Sequence, residues 1–186
     1  MLILKENHRV YLVQSTYAYS LEGFPEPALV PENMPIFKAY QSKALIGGTD
    51  IATLEALRYR RLPFPQEFTA VNLLRKTVPQ IERALEELGR LDESDEIDGL
   101  LLLAKGEKAF MVLADFTVRE IQKEEAVGWA EDRLRYALTL TDGMPLIPRA
   151  RAAYKIVGEI LGVNPFPLIM MDATGFALKI IEEEKE

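Results

Sequence analysis

The amino-acid sequence predicts an α+β fold, a packing of sheet and helix layers, and three observations predict it. Short apolar runs separated by turn residues come in pairs at both ends of the chain and in its middle. Segments with apolar residues three or four apart form two separate blocks between those pairs. The resulting order is four strands, two helices, three strands, two helices and two strands. That is neither the strict alternation of a doubly wound sheet nor an all-β pattern, so layers of both kinds have to pack on each other. With 186 residues, 48% of them hydrophobic, a single domain over 1–186 can bury roughly two-thirds of its unfolded surface. No internal linker is expected.

Leu2-Ile3-Leu4 and Val10-Tyr11-Leu12-Val13 read as strands joined at Glu6-Asn7-His8. A proline-rich excursion with Pro25, Pro27, Pro31 and Pro35 follows, too long for a tight turn and poor in core residues. Ile36-Phe37-Lys38-Ala39-Tyr40 and Lys43-Ala44-Leu45-Ile46 suggest a second hairpin around Gln41-Ser42. Consecutive hairpins usually neighbour each other, so the two are expected side by side in one sheet. Ile51, Leu54 and Leu57 then share a helix face, with Arg58, Arg60 and Arg61 near the C-terminal end and Pro63 and Pro65 closing the helix. From Phe68 to Leu88 the apolar positions keep steps of three or four, and Pro79 makes this a kinked helix or a broken pair.

After the acidic stretch Asp92 to Asp98, Leu100 to Ala104 and Ala109 to Leu113 flank Lys105-Gly106-Glu107-Lys108, a hairpin turn by composition. Phe116 to Ile121 alternates and extends that sheet. Helical spacing returns over Trp129 to Leu138 and Pro148 to Leu161, with Gly162 at the C-cap position. Leu168 to Met171 and Phe176 to Ile181 close the chain as a hairpin around Asp172-Ala173-Thr174-Gly175. Leu54, Leu57, Val71, Leu74, Leu85, Tyr136, Leu140, Tyr154, Val157 and Ile160 most simply pack against the sheets, with subunit contacts as the alternative.

The most informative stretch is Ala44 to Asp50, an apolar run that breaks at Gly47-Gly48 and passes straight into the helix from Ile51. Glycines there let the backbone turn sharply or approach a ligand closely. Thr49 or Asp50 can cap the helix, and such a corner can serve as an oxyanion or anion site. It is expected to meet Gln14-Ser15-Thr16 if the hairpins are adjacent.

Taken as an arrangement, the chain resembles the N-terminal-nucleophile hydrolases of the proteasome β-subunit and HslV type. The local resemblances are Arg9-Val10-Tyr11-Leu12-Val13-Gln14-Ser15, Tyr40 to Thr49, Ala126-Val127-Gly128 and the helix at Tyr136-Ala137-Leu138. The resemblance implies an αββα sandwich, two stacked and mainly antiparallel sheets flanked by helices. It also implies a free N-terminal threonine that attacks through its hydroxyl with its own amine as base. An aspartate, a lysine and an oxyanion amide would complete that site. This sequence begins with Met1, and its first strand starts a few residues short of the threonine's place. Gln14 or Ser15 stands where the aspartate is expected, and the lysine's place falls near Pro35. Lys38 is the nearest alternative, about three residues late and so turned to the other face of its strand. Gly47 or Gly48 keeps the oxyanion corner.

The leading expectation is therefore a non-catalytic, self-assembling ring or scaffold protein, a homo-oligomer without cofactor and with any peptide or protein partner unspecified. The rival is an active threonine- or serine-type peptidase or amidohydrolase, with Ser15, Thr16, Lys38 and Gly47 as candidate machinery. A third reading is a small anion-binding protein using Gly47, Gly48 and Thr49.

Other classes fare worse. The chain has no cysteine, which removes thiol nucleophiles, disulfides and thiolate metal sites, and its one histidine, His8, sits in a predicted turn. The acidic run at 92–98 reads as a solvated loop without calcium-loop spacing, so no metal is expected. A balance of 22 basic against 29 acidic residues, net charge -7, argues against nucleic acid. No apolar run approaches a membrane span, and the start lacks a signal-peptide core, so a cytoplasmic location is expected.

Overall fold

The computed structural model describes residues 1–16, 36–128 and 130–183. The proline-rich excursion, with Pro35 and the expected lysine position, lies outside the described residues, as does Trp129.

The described elements, in order, are strands β1 (Leu2–Glu6), β2 (Arg9–Ser15), β3 (Ile36–Lys38) and β4 (Leu45–Gly48), then helices α1 (Ile51–Arg58), α2 (Ala70–Lys76) and α3 (Val78–Glu87). Strands β5 (Leu101–Lys105), β6 (Lys108–Val112), β7 (Val118–Glu120) and β8 (Glu125–Ala126) follow. Helices α4 (Glu131–Leu140) and α5 (Leu146–Leu161) lead to β9 (Leu168–Asp172) and β10 (Leu178–Ile181). They build two five-stranded sheets with strand orders β10-β9-β2-β1-β8 and β3-β4-β5-β6-β7. Every recorded pairing is antiparallel.

Three apolar clusters separate four layers, as an αββα sandwich requires. One joins α1, α2 and α3 to the second sheet, one lies between the sheets, and one joins the first sheet to α4 and α5. The run Leu101-Leu102-Leu103-Ala104 shows why unbroken apolar strands are needed here. Leu101 and Leu103 face the helices while Leu102 and Ala104 face the other sheet. A strand covered on both sides has no polar face to alternate with.

The structure corrects three expectations. The first two hairpins do not share a sheet: β1 and β2 lie in one, β3 and β4 in the other. The first hairpin's neighbour is the last one, since β2 pairs with β9 from Tyr11↔Asp172 to Ser15↔Leu168. Strand β8 is too short to carry a periodic signal, yet it completes the sheet by pairing Leu2 with Ala126. Of the two readings that Pro79 allowed, the broken pair holds: Pro79 stands in the first turn of α3, where its missing N–H costs nothing, and the break falls at Thr77. That break turns α2 so that Val71 and Leu74 face outward, at 55% and 45% exposure. Tyr136, Leu140 and Ile160 are exposed as well, whereas Leu54, Leu57, Leu85, Tyr154 and Val157 are core.

Candidate functional site

Strand β4 ends where its glycines have no room for side chains. A Cβ on Gly47 would lie 3.2 Å from both Sδ and Cε of Met1. One on Gly48 would lie 2.9 Å from the Leu100 carbonyl oxygen. Neither glycine has positive φ, so close approach and not backbone strain accounts for the pair. Two left-handed glycines, Gly99 and Gly128, at φ 82° and 78°, stand nearby and pack against the Thr49 side chain.

Thr49 is held on two sides. Its amide donates to Leu100 O at 3.1 Å, and its Oγ1 accepts from Leu100 N at 3.0 Å. Asp50 caps α1, with Oδ2 accepting from Thr53 N at 2.7 Å.

Met1 lies beside this corner. Its amine donates to Val127 O at 2.8 Å, and Val127 N returns a bond to Met1 O at 2.9 Å. The amine is fully buried, and desolvation lowers its pKa from the ordinary 8.0 to about 5 against an opposing pull from the Glu131 charge. At neutral pH it is an uncharged amine inside the protein.

Between these elements is a cavity of about 250 Å³. It is lined on the corner side by Gly48, Thr49 and Asp50, on the strand side by Gln14 and Ser15, and on the helix side by Tyr154, Val157 and Gly158. The sequence-predicted meeting of the glycine corner with Gln14 and Ser15 therefore occurs, but across the ends of two stacked sheets and not within one.

The candidate groups divide. Ser15 lines the cavity, with Oγ donating to Pro165 O at 2.7 Å. Thr16 Oγ1 donates to Pro167 O at 3.0 Å and does not line it. Lys38 is elsewhere, its Nζ 4.8 Å from the centre of the Phe176 ring. The residue opposite Gly47 on β3 is Ile36, buried in the same intersheet cluster as Met1. Gly47 turns its Cα toward that cluster, so of the predicted ligand residues only Gly48 and Thr49 border the cavity. Among the described residues no three His, Asp or Glu side chains converge as a metal site, and no helix is long and apolar enough to cross a membrane.

The α5 wall escaped sequence reasoning, although Gly158 inside an otherwise amphipathic helix was a signal for it. A Cβ there would lie 2.7 Å from Val163 O and Pro165 Cδ. Only glycine lets the segment after α5 fold back to close the cavity.

Four layers, two antiparallel sheets and a glycine corner facing the head of the first strand define the fold class: that of the proteasome-like N-terminal-nucleophile hydrolases. Among solved structures, the chain is similar to BPH of Thiobacillus denitrificans in complex with epoxomicin, at 18% identity and TM-score 0.69, covering 97% of this chain and 98% of that one. It is also similar to HslV of Trypanosoma brucei, at 16% identity and TM-score 0.59, covering 92% and 97%. The Anbu ancestral β-subunit of Yersinia bercovieri follows, at 11% identity and TM-score 0.60, covering 99% and 87%. No family model and no curated protein matches the sequence.

Proposed function

We propose that this chain is a non-catalytic, self-assembling ring or scaffold protein of the proteasome-like fold. The observation that carries the reading is the Met1 thioether against Gly47. An apolar side chain fills the space before the glycine corner, backed by Ile36 and Leu12 in the same buried cluster. Ser15 Oγ donates to a main-chain carbonyl, and Lys38 sits over Phe176, away from the cavity. Self-assembly is supported by the exposed Val71, Leu74, Tyr136, Leu140 and Ile160, apolar groups on helix faces that water does not favour.

One observation favours the rival, an amidohydrolase: the buried Met1 amine, deprotonated at neutral pH, is the kind of base such a reaction uses, and Ser15 lines the same cavity. Epoxomicin, the compound complexed with the Thiobacillus denitrificans neighbour, separates the two. Incubated with the purified protein, it should leave the intact mass unchanged, and peptide amides should not be cleaved. A mass shift mapped to Met1 or Ser15 would establish the rival reading. Native mass spectrometry should show a closed multiple of the 21.0 kDa chain that Tyr136→Glu with Leu140→Glu dissociates. A monomer at all micromolar concentrations would remove the scaffold reading.

A further inference from the structure

The cavity beside Met1 has a polarity opposite to that of an anion site. No lysine, arginine or histidine lines it among the described residues. Among the described residues its one carboxylate is Asp50, which has no ion-pair partner among them and spends a single oxygen on Thr53 N. That carboxylate already occupies the place at the head of α1 where an external anion would bind, so the helix offers little to a second negative charge. Gln14 adds a carboxamide oxygen, Oε1, buried and without a hydrogen-bond partner. Rotating that carboxamide toward the cavity sacrifices no bond of Oε1, whereas leaving a buried acceptor unpaired is unfavourable. The remaining hydroxyls are committed, with Thr49 Oγ1 accepting from Leu100 N and Tyr154 Oη donating to Val13 O at 3.1 Å.

We propose that this cavity binds a small organic cation, a primary ammonium or an amidinium on a short apolar body, with its N–H groups donating to Asp50 and Gln14. Ile51, Val157, Val163 and Pro165 supply the apolar wall for the body. The space, about 250 Å³, is far above the roughly 15 Å³ that admits one water. The buried Met1 amine adds no fixed positive charge at neutral pH, and the Glu131 carboxylate, held at 3.3 Å by Gly128 N, adds negative field at the rim. Glu131 also meets Arg135 at 3.5 Å, so Asp50 is the principal anchor. The inference goes beyond the scaffold reading and stands whether or not the chain hydrolyses anything.

The test is a ligand series on the unmodified full chain, read by melting temperature and by the amide signals of Gly48 and Gly128. n-Butylammonium and benzamidinium should raise the melting temperature and shift both signals. Butanol and butyrate, of similar shape, should do neither. Asp50→Asn, which keeps the cap acceptor, and Gln14→Leu should each weaken benzamidinium about tenfold, as loss of a charge-assisted or buried hydrogen bond implies. Butyrate binding as well as butylammonium, no response to any member, or unchanged affinity in Asp50→Asn would overturn the proposal. Should that variant fail to fold, the series on the native chain decides alone.

Discussion

Thr49 and Leu100 exchange two hydrogen bonds: Thr49 N donates to Leu100 O at 3.1 Å, and Leu100 N donates to Thr49 Oγ1 at 3.0 Å. The second extends the β4–β5 ladder by one residue beyond the last strand pair, Gly48↔Leu101. A side chain does there what backbone can no longer do, because the chain leaves the strand at Asp50, the cap of α1.

Thr49→Val keeps the shape and removes only the oxygen. It leaves the Leu100 N–H without an acceptor and should lower stability by about 1–3 kcal/mol. Urea unfolding measures this. A variant within a few tenths of wild type would mean that water replaces the hydroxyl.

The two corner glycines should respond differently. The neighbour crowding Gly47 is the tip of the Met1 side chain, which can swing away, while Gly48 meets the Leu100 carbonyl oxygen of a paired strand, which cannot. Gly47→Ala should therefore cost less than ~1 kcal/mol and Gly48→Ala on the order of 1–3 kcal/mol. The reverse ranking in denaturant midpoints would contradict the packing described.

Gly158→Ala sets propensity against packing. Alanine favours a helix over glycine by up to about 1 kcal/mol, yet the methyl would sit 2.7 Å from Val163 O and Pro165 Cδ. Overpacking of about 1–3 kcal/mol should prevail, and the melting temperature should fall. A rise would show that the segment after α5 can yield.

Stability should climb with pH between about 5 and 8. The Met1 amine has its pKa lowered from 8.0 to about 5 in the folded protein. Across that window the unfolded chain holds a proton that the folded one has released, so raising the pH favours folding. At about 1.4 kcal/mol per pH unit the gain has an upper bound of ~4 kcal/mol. Guanidinium unfolding in a His8→Asn background isolates the amine, and a flat profile there would mean that the ammonium is solvated.

Much of the fold was legible because it is written in local pattern. Runs such as Leu101 to Ala104 and the Gly47-Gly48 break before Ile51 announce a buried strand and a strand-to-helix corner. What local pattern cannot report is partnership. Nothing in Val10 to Val13 says that β2 pairs with a strand some 150 residues later rather than with the next hairpin, and Glu125-Ala126 is too short to have a period. The site was legible by half for the same reason. Glycines and a capping aspartate mark the corner, but the wall from α5 arrives through tertiary packing, and the fate of the Ser15 hydroxyl depends on a carbonyl at Pro165.

The placement of β1 and β2 inside a sheet has a consequence for how the protein is made. Both strands precede their outer partners by more than a hundred residues, and their outer edges stay open until β8 and then β9 have been synthesised. During that interval an apolar hairpin with two exposed edges is available to any other strand, its counterparts on neighbouring nascent chains included. Closure of the sheet is thus a late, long-range event. Folding should be slow for a domain of this size, and chaperone demand should be concentrated on the nascent chain rather than on the finished one.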